Sequence, residues 1–280
     1  GNLSVTNCFS TGKNQGFFAG SIVGGYANSA SSGTITVTNC YSSGAITNGA
    51  GDYVGGAGGI GSQLLTDLSN NSSNNILVGY HKKKPDTKFE SISFDASKFT
   101  EVENFIKKGL DLFEKVDAIV CLPGNLILKP AHLCTEEEFY ETIDINLKSS
   151  FGVIRSAGKL LKDCSIVLMS TAAASIGLSN HELISSAKAG VEGLAKTAAK
   201  TYSRKNLRVN TVSPGLVDTP LANKITENPI ILKASIKMLA LDKIGKPKQI
   251  SNIIKFLINP ENDWVTGQNF IIDGGLSSTK

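Results

Sequence analysis

Val54-Gly55-Gly56-Ala57-Gly58-Gly59-Ile60-Gly61 is the stretch on which the reading of the whole chain turns. Gly55, Gly59 and Gly61 stand in a GxxxGxG frame. Glycines so spaced allow a tight turn and let backbone amides approach a pyrophosphate at a helix N-terminus. A glycine run alone says little, and its surroundings say more. Ser62 to Leu68 can open a helix, and Asn75-Ile76-Leu77-Val78-Gly79-Tyr80 reads as a short buried strand. The segment in front fits less well. A central parallel strand is a continuous apolar run, whereas Gly49-Ala50-Gly51-Asp52-Tyr53-Val54 brings small residues and a carboxylate.

Downstream, apolar strand-like runs alternate with amphipathic stretches, the pattern of a parallel α/β fold. Strands are expected at Ile76 to Tyr80, Ala118 to Leu122, Ser165 to Met169, Arg208 to Val212 and Asn269 to Ile272. Helices are expected at Thr100 to Phe113, Glu136 to Leu161, Leu183 to Tyr202 and Pro247 to Ile258. Pro247 suits a first helical position, where a missing amide costs nothing, and Pro260 follows the end of that helix.

Upstream, Val5-Thr6-Asn7-Cys8-Phe9-Ser10-Thr11-Gly12 recurs as Val37-Thr38-Asn39-Cys40-Tyr41-Ser42-Ser43-Gly44, an internal repeat with a period of 32 residues. Val, Thr and Ile alternating between Gly, Ser and Asn suit coils of a β-solenoid, with Cys8 and Cys40 as equivalent inward positions. A Gly/Ser-rich linker is the plainer alternative. The segment resembles the GLUG-type repeat of bacterial surface and secreted proteins. Its glycines overlap the GxxxGxG frame, so two segments are expected: residues 1–53, a short β-repeat, and residues 54–280, a dinucleotide-binding domain joined to it inside the glycine loop.

Composition fits a globular protein: 41% hydrophobic and 19% charged residues, with no apolar run near the roughly 18 residues that span a bilayer. The net charge of +4 is scattered, and Lys82-Lys83-Lys84 is too small a cluster to argue for nucleic acid. Cys8, Cys40, Cys121, Cys134 and Cys164 show no metal-ligand spacing with the three histidines, and an odd, dispersed count suits reduced thiols in a cytoplasmic protein. No metal, membrane or nucleic-acid partner is expected.

The order of motifs past the junction is similar to the short-chain dehydrogenase/reductase family, which implies a Rossmann-like doubly wound parallel sheet. In the glycine frame Val54 replaces the family's usual threonine, and Gly55, Gly59, Ile60 and Gly61 would cradle the cofactor. Asp95, in Ser93-Phe94-Asp95-Ala96, falls on the adenine-contacting aspartate, and Asn146, in Asp144-Ile145-Asn146-Leu147, on the active-site asparagine. Arg208-Val209-Asn210 and Asp273-Gly274-Gly275 also match. Pro214-Gly215, Val217 and Thr219 fall where the family holds the nicotinamide carboxamide. Lys188 falls on the lysine that binds the cofactor ribose, and Thr171, beside Ser170, on the catalytic serine.

The chain also departs from that pattern. Cys121-Leu122-Pro123-Gly124 stands where the family has Asn-Asn-Ala-Gly, so Gly124 alone survives as a cofactor contact. The family's tyrosine, one helical turn before the lysine, is Ile184 here. Isoleucine cannot exchange a proton, and losing a positioned acid forfeits about 10² to 10⁴ in rate. His181, beside Glu182, is the nearest substitute in sequence, although a His-Glu pair at a helix start also serves as a cap. The Asn-His-Glu stretch resembles a divergent subgroup of the family that lacks the tyrosine.

Gly79-Tyr80-His81-Lys82-Lys83-Lys84 holds no carboxylate at the distance past the glycine loop where NAD-preferring sites carry one. Lys82 and its neighbours suit a 2′-phosphate, or equally a solvated turn. The resemblance therefore implies an oxidoreductase acting on a small carbonyl or alcohol, with NADP(H) preferred and NAD(H) as the alternative. Thr171, Lys188, Asn146 and His181 are its candidate catalytic residues, and a homodimer or homotetramer is expected. A non-catalytic nucleotide-binding or scaffold protein that kept the fold is the second reading; a surface module led by the repeat is the third.

Overall fold

A computed structural model describes residues 59–70, 74–81, 84 and 87–279. The repeat segment, the expected first strand, Gly55 and Lys82 lie outside the described residues.

Two strands, β1 (Leu77–Tyr80) and β2 (Glu90–Ser93), pair in parallel. Four more, β3 (Ala118–Cys121), β4 (Cys164–Met169), β5 (Leu207–Pro214) and β6 (Asn269–Ile272), form a parallel sheet in that order. β3 and β4 are buried throughout, and apolar but for Ser165, because helices cover both faces. On one face α1 (Gly59–Ser69) and α8 (Pro247–Ile258) bring Leu64, Leu68, Ile250 and Ile254 against Val78, Val120, Val167 and Val212. On the other, α2 (Phe99–Phe113), α4 (Ser149–Leu160) and α5 (Glu182–Thr201) pack Ile106, Val153 and Val191 on Leu77, Ile119 and Ile166. Successive strand residues face opposite helical layers, so β1 and β3 share both cores. This is the doubly wound, Rossmann-like architecture expected.

Asp67 ties the first helical layer together. Its buried carboxylate accepts from Ser251 Oγ at 2.6 Å and pairs with Lys248 and Lys255.

Expected boundaries hold to within two residues for most elements, with three corrections. β2 was not expected, since Glu90-Ser91-Ile92-Ser93 is polar and only partly covered. The segment between Asp218 and Lys243 carries α6 (Asn223–Thr226) and α7 (Pro229–Ile236), the latter capped by Asn228, whose Oδ1 accepts from the Ile230 and Ile231 amides. The helix expected over Glu136 to Leu161 is three pieces: α3 (Glu136–Ile143), a π-helical turn Asp144–Lys148, and α4. The Thr135–Glu138 capping box fixes the start of α3. Hydrophobic periodicity does not reveal the π turn, which inserts at Asn146.

Candidate functional site

The carboxyl ends of β3, β4 and β5 open into one cleft, bounded also by α5 and the π turn. Crevices at strand carboxyl ends are the usual ligand sites of open α/β sheets. Leu122, Leu126, Ile184, Leu216 and Leu221 make most of its wall apolar, and Asn146, Thr171, Thr219 and Lys188 supply polar groups.

Lys188 projects from α5 and is only 5% exposed. Its Nζ donates to Met169 O at 2.9 Å and Pro123 O at 3.3 Å, the ends of β4 and β3. Burial pushes its pKa down to about 8, with the Cys121 thiol acting weakly the other way. Cys121 is itself pushed up to about 12 by burial and stays a neutral thiol against Ser150 Oγ. Thr171 caps a 3-10 turn, Ala172–Ala174. Its Oγ1 accepts from the Ala173 amide at 3.4 Å and lies 3.5 Å from Pro214 O. Ser170 is occupied elsewhere, donating to Glu192 Oε1 at 2.7 Å. One turn before Lys188, Ile184 lines the cleft and is 3% exposed.

The π turn swings Asn146 inward, as such bulges do at functional sites. Asn146 Nδ2 donates to Asn125 Oδ1 at 2.7 Å and Thr142 O at 3.0 Å. Its Oδ1 is buried and has no hydrogen-bond partner among the described residues. A Cβ on Gly124 would stand 3.2 Å from that oxygen and 3.7 Å from Lys188 Nζ, so the missing side chain keeps two polar atoms open over one point. Asn125, 2% exposed, is a site residue that the sequence reading missed. An amide within Leu122-Pro123-Gly124-Asn125-Leu126 was the available signal.

Across the cleft, Gly59 opens α1 at φ +38°, and a Cβ there would lie 2.4 Å from Thr219 Cγ2. Gly215 also backs closely on Asp273: a Cβ there would lie 2.8 Å from the Asp273 Cα. Ile60, Gly124, Pro214, Gly215, Val217 and Thr219 all line the cleft with Lys188, Thr171 and Asn146. Nine of the sequence-nominated residues therefore meet in one place.

Of the other nominated residues that are described, Gly59 touches the cleft wall only through Thr219, and three stand away from it. His181 sits at the N-cap of α5 with Nδ1 donating backward to Ser179 O at 2.8 Å, and it is not in the cleft wall. Asp95 lies beyond β2 with its carboxylate taken up by the Ser97 amide and hydroxyl and by Lys98. Gly61 is buried in the first turn of α1. Trp264 is 96% exposed. Among the described residues no cluster of metal-ligating side chains occurs, and no helix is long and apolar enough to cross a membrane.

Residues 62–277 match a family model described as enoyl-(acyl carrier protein) reductase. The chain is 27% identical over 246 residues to a hydroxynaphthalene reductase-like protein, Arp2, of Metarhizium acridum, covering 79% of this chain and 92% of the relative. It is 32% identical over 181 residues to the 3-oxoacyl-[acyl-carrier-protein] reductase FabG of Thermotoga maritima, covering 63% and 72%. Among solved structures it is similar to ligand-free aldohexose dehydrogenase from Thermoplasma acidophilum, with a TM-score of 0.71 and 25% identity over 79% of this chain and 90% of the other. A short-chain type dehydrogenase/reductase from Mycobacterium ulcerans superposes with a TM-score of 0.73 at 22% identity, over 81% and 88%. On the extent of the family match and the identity of these relatives, the chain belongs to the short-chain dehydrogenase/reductase family.

Proposed function

We propose that the protein is an NADP(H)-dependent oxidoreductase acting on a small carbonyl or alcohol through an altered active site. The supporting observation is the convergence of Lys188, Asn146 and Thr171 on one apolar cleft at the strand ends. The family binds a nicotinamide dinucleotide, which supplies or accepts hydride when bound, and the residues present fit it. Gly59, at φ +38° against Thr219, leaves a side-chain-free approach at the start of α1, and Ile60 borders the cleft beside it. Gly55 and Gly61 complete the sequence frame of the cradle. Pro214, Gly215, Val217 and Thr219 would hold the carboxamide, Asp95 the adenine, and Gly124 and Lys188 the ribose side.

Thr171 Oγ1 would orient the substrate oxygen by hydrogen bonding. Asn146 Oδ1, buried without a partner among the described residues, would hold a water beside Lys188. Lys82-Lys83-Lys84, with no carboxylate within residues 79–84, supports a 2′-phosphate and hence NADPH over NADH. Titration of nucleotide fluorescence tests this: tighter binding of NADPH than NADH, with turnover of a member of a carbonyl panel, is expected. Absence of binding by either nucleotide would end the reading. In the same assay Gly59→Ala should weaken NADPH binding about tenfold. Left-handed strain of roughly 1–2 kcal/mol and the push on Thr219 both act at the cradle.

Ile184 favours a second reading, a nucleotide-binding protein without turnover, because the cleft wall there is a buried hydrocarbon. NADPH binding with no turnover on any carbonyl would establish it. Exposed Phe139, Tyr140 and Phe151, on α3 and α4, support a homodimer or homotetramer, to be checked by light scattering.

A further inference from the structure

A carbonyl reduced in this cleft must still acquire a proton, and Ile184 cannot give one. Among the described residues lining the cleft, Lys188 is the only one with an ionisable side chain. We propose that Lys188 is itself the catalytic acid of carbonyl reduction in this protein, in addition to holding the nucleotide. The inference rests on the oxidoreductase reading above.

An ammonium carries three protons. Two of those on Lys188 are directed at Met169 O and Pro123 O, both neutral acceptors, which leaves one N–H beside the open space over Gly124. Among the described residues no carboxylate pairs with it. From β3 the facing titratable group is the Cys121 thiol, held neutral by burial. On α5 itself Glu192 turns to the Ser170 and Ser213 hydroxyls, and on α3 Glu141 lies toward Asn125. The groups presented by β4, the π turn and the turn after β3 (Ser170, Asn146 and Asn125) are uncharged. An uncompensated, desolvated ammonium gives up a proton readily, as catalytic lysines do, and burial brings this one to about 8.

In the step, the carbonyl carbon gains hydride from a reduced nicotinamide dinucleotide and the C=O π pair moves onto oxygen. A Lys188 N–H bond breaks and an O–H bond forms. The carbonyl is reduced to an alcohol, the nicotinamide is oxidised, and the neutral amine recovers its proton from solvent.

The test compares the full chain with Lys188→Arg and Lys188→Arg/Ile184→Tyr, reading NADPH affinity by fluorescence and reductase turnover across pH. Wild-type reduction should fall as pH rises through about 8, following the protonated fraction of Lys188. Arginine keeps the positive charge but releases no proton, so NADPH should still bind while turnover drops roughly 10²-fold. Adding tyrosine should return the turnover. A readout independent of turnover is the pH dependence of Lys188 acetylation by acetic anhydride, followed by peptide mass spectrometry. A midpoint near 8 is expected, and that of an ordinary lysine refutes the assignment. Unchanged turnover in Lys188→Arg, or a loss matched by lost NADPH affinity, overturns the acid role and leaves the oxidoreductase reading intact. Failure of that reading would show separately, as wild-type protein that binds no nucleotide. Should the arginine variant not fold, the wild-type pH profile and acetylation midpoint decide.

Discussion

Ile184→Tyr should raise carbonyl reduction by about 10² or more, at the low end of what a positioned acid contributes. Residue 184 precedes Lys188 by one helical turn on the same face of α5, and its side chain already lines the cleft. A tyrosine there would extend past the isoleucine into open space and bring its hydroxyl near both Thr171 and the Lys188 ammonium. The ammonium would favour the phenolate and lower the phenol pKa toward the working range. The gain should appear in kcat with little change in NADPH affinity, because the nucleotide-facing residues are untouched. The alkaline limb of the pH profile should then follow the new phenol. Steady-state kinetics of the variant beside the wild type settle the matter. Tight NADPH binding with flat turnover would mean that Thr171 and Asn146 do not present a substrate carbonyl to this helix face, and the non-catalytic reading would gain.

Much of this site was legible in the sequence because its parts are local. The family resemblance falls on short motifs: Lys188 and Ile184 share one helix turn, and Ser170-Thr171 and Pro214-Gly215 each follow directly on an expected strand. What was not legible depends on contacts distant along the chain. The Asn125–Asn146 amide pair joins residues 21 apart through a π turn, and a 3.6-residue period carries no trace of that insertion. His181 looked close to the missing tyrosine because it stands three positions before Ile184. The helix begins between them, however, and the N-cap geometry returns the imidazole to Ser179 O. β2 escaped notice because a strand covered on little of its surface needs no apolar run.

The same lysine sets a second large effect, on stability. Burial lowers the Lys188 pKa from 10.5 to about 8, so the folded protein holds that proton less tightly than the unfolded chain. Below the folded value both states are protonated and the fold bears the whole cost of a desolvated ammonium. Between the two values the unfolded chain binds more protons, so stability rises with pH, and above the unfolded value the cost is gone. At 1.36 kcal/mol per pKa unit the cost is on the order of 3 kcal/mol. Lys188→Met removes the charge but leaves Met169 O and Pro123 O without their donor, an opposing penalty of about 1–3 kcal/mol. At neutral pH these nearly offset each other, so the variant should be as stable as wild type or up to roughly 2 kcal/mol more stable. The carbonyl penalty does not titrate, whereas the ammonium cost does. Denaturant unfolding across the alkaline range should therefore show wild type overtaking the methionine variant as pH climbs from about 8 toward 10.5. A difference between the two that stays constant with pH would mean that the amine is fully hydrated in the folded protein, and burial would not then loosen its hold on the proton.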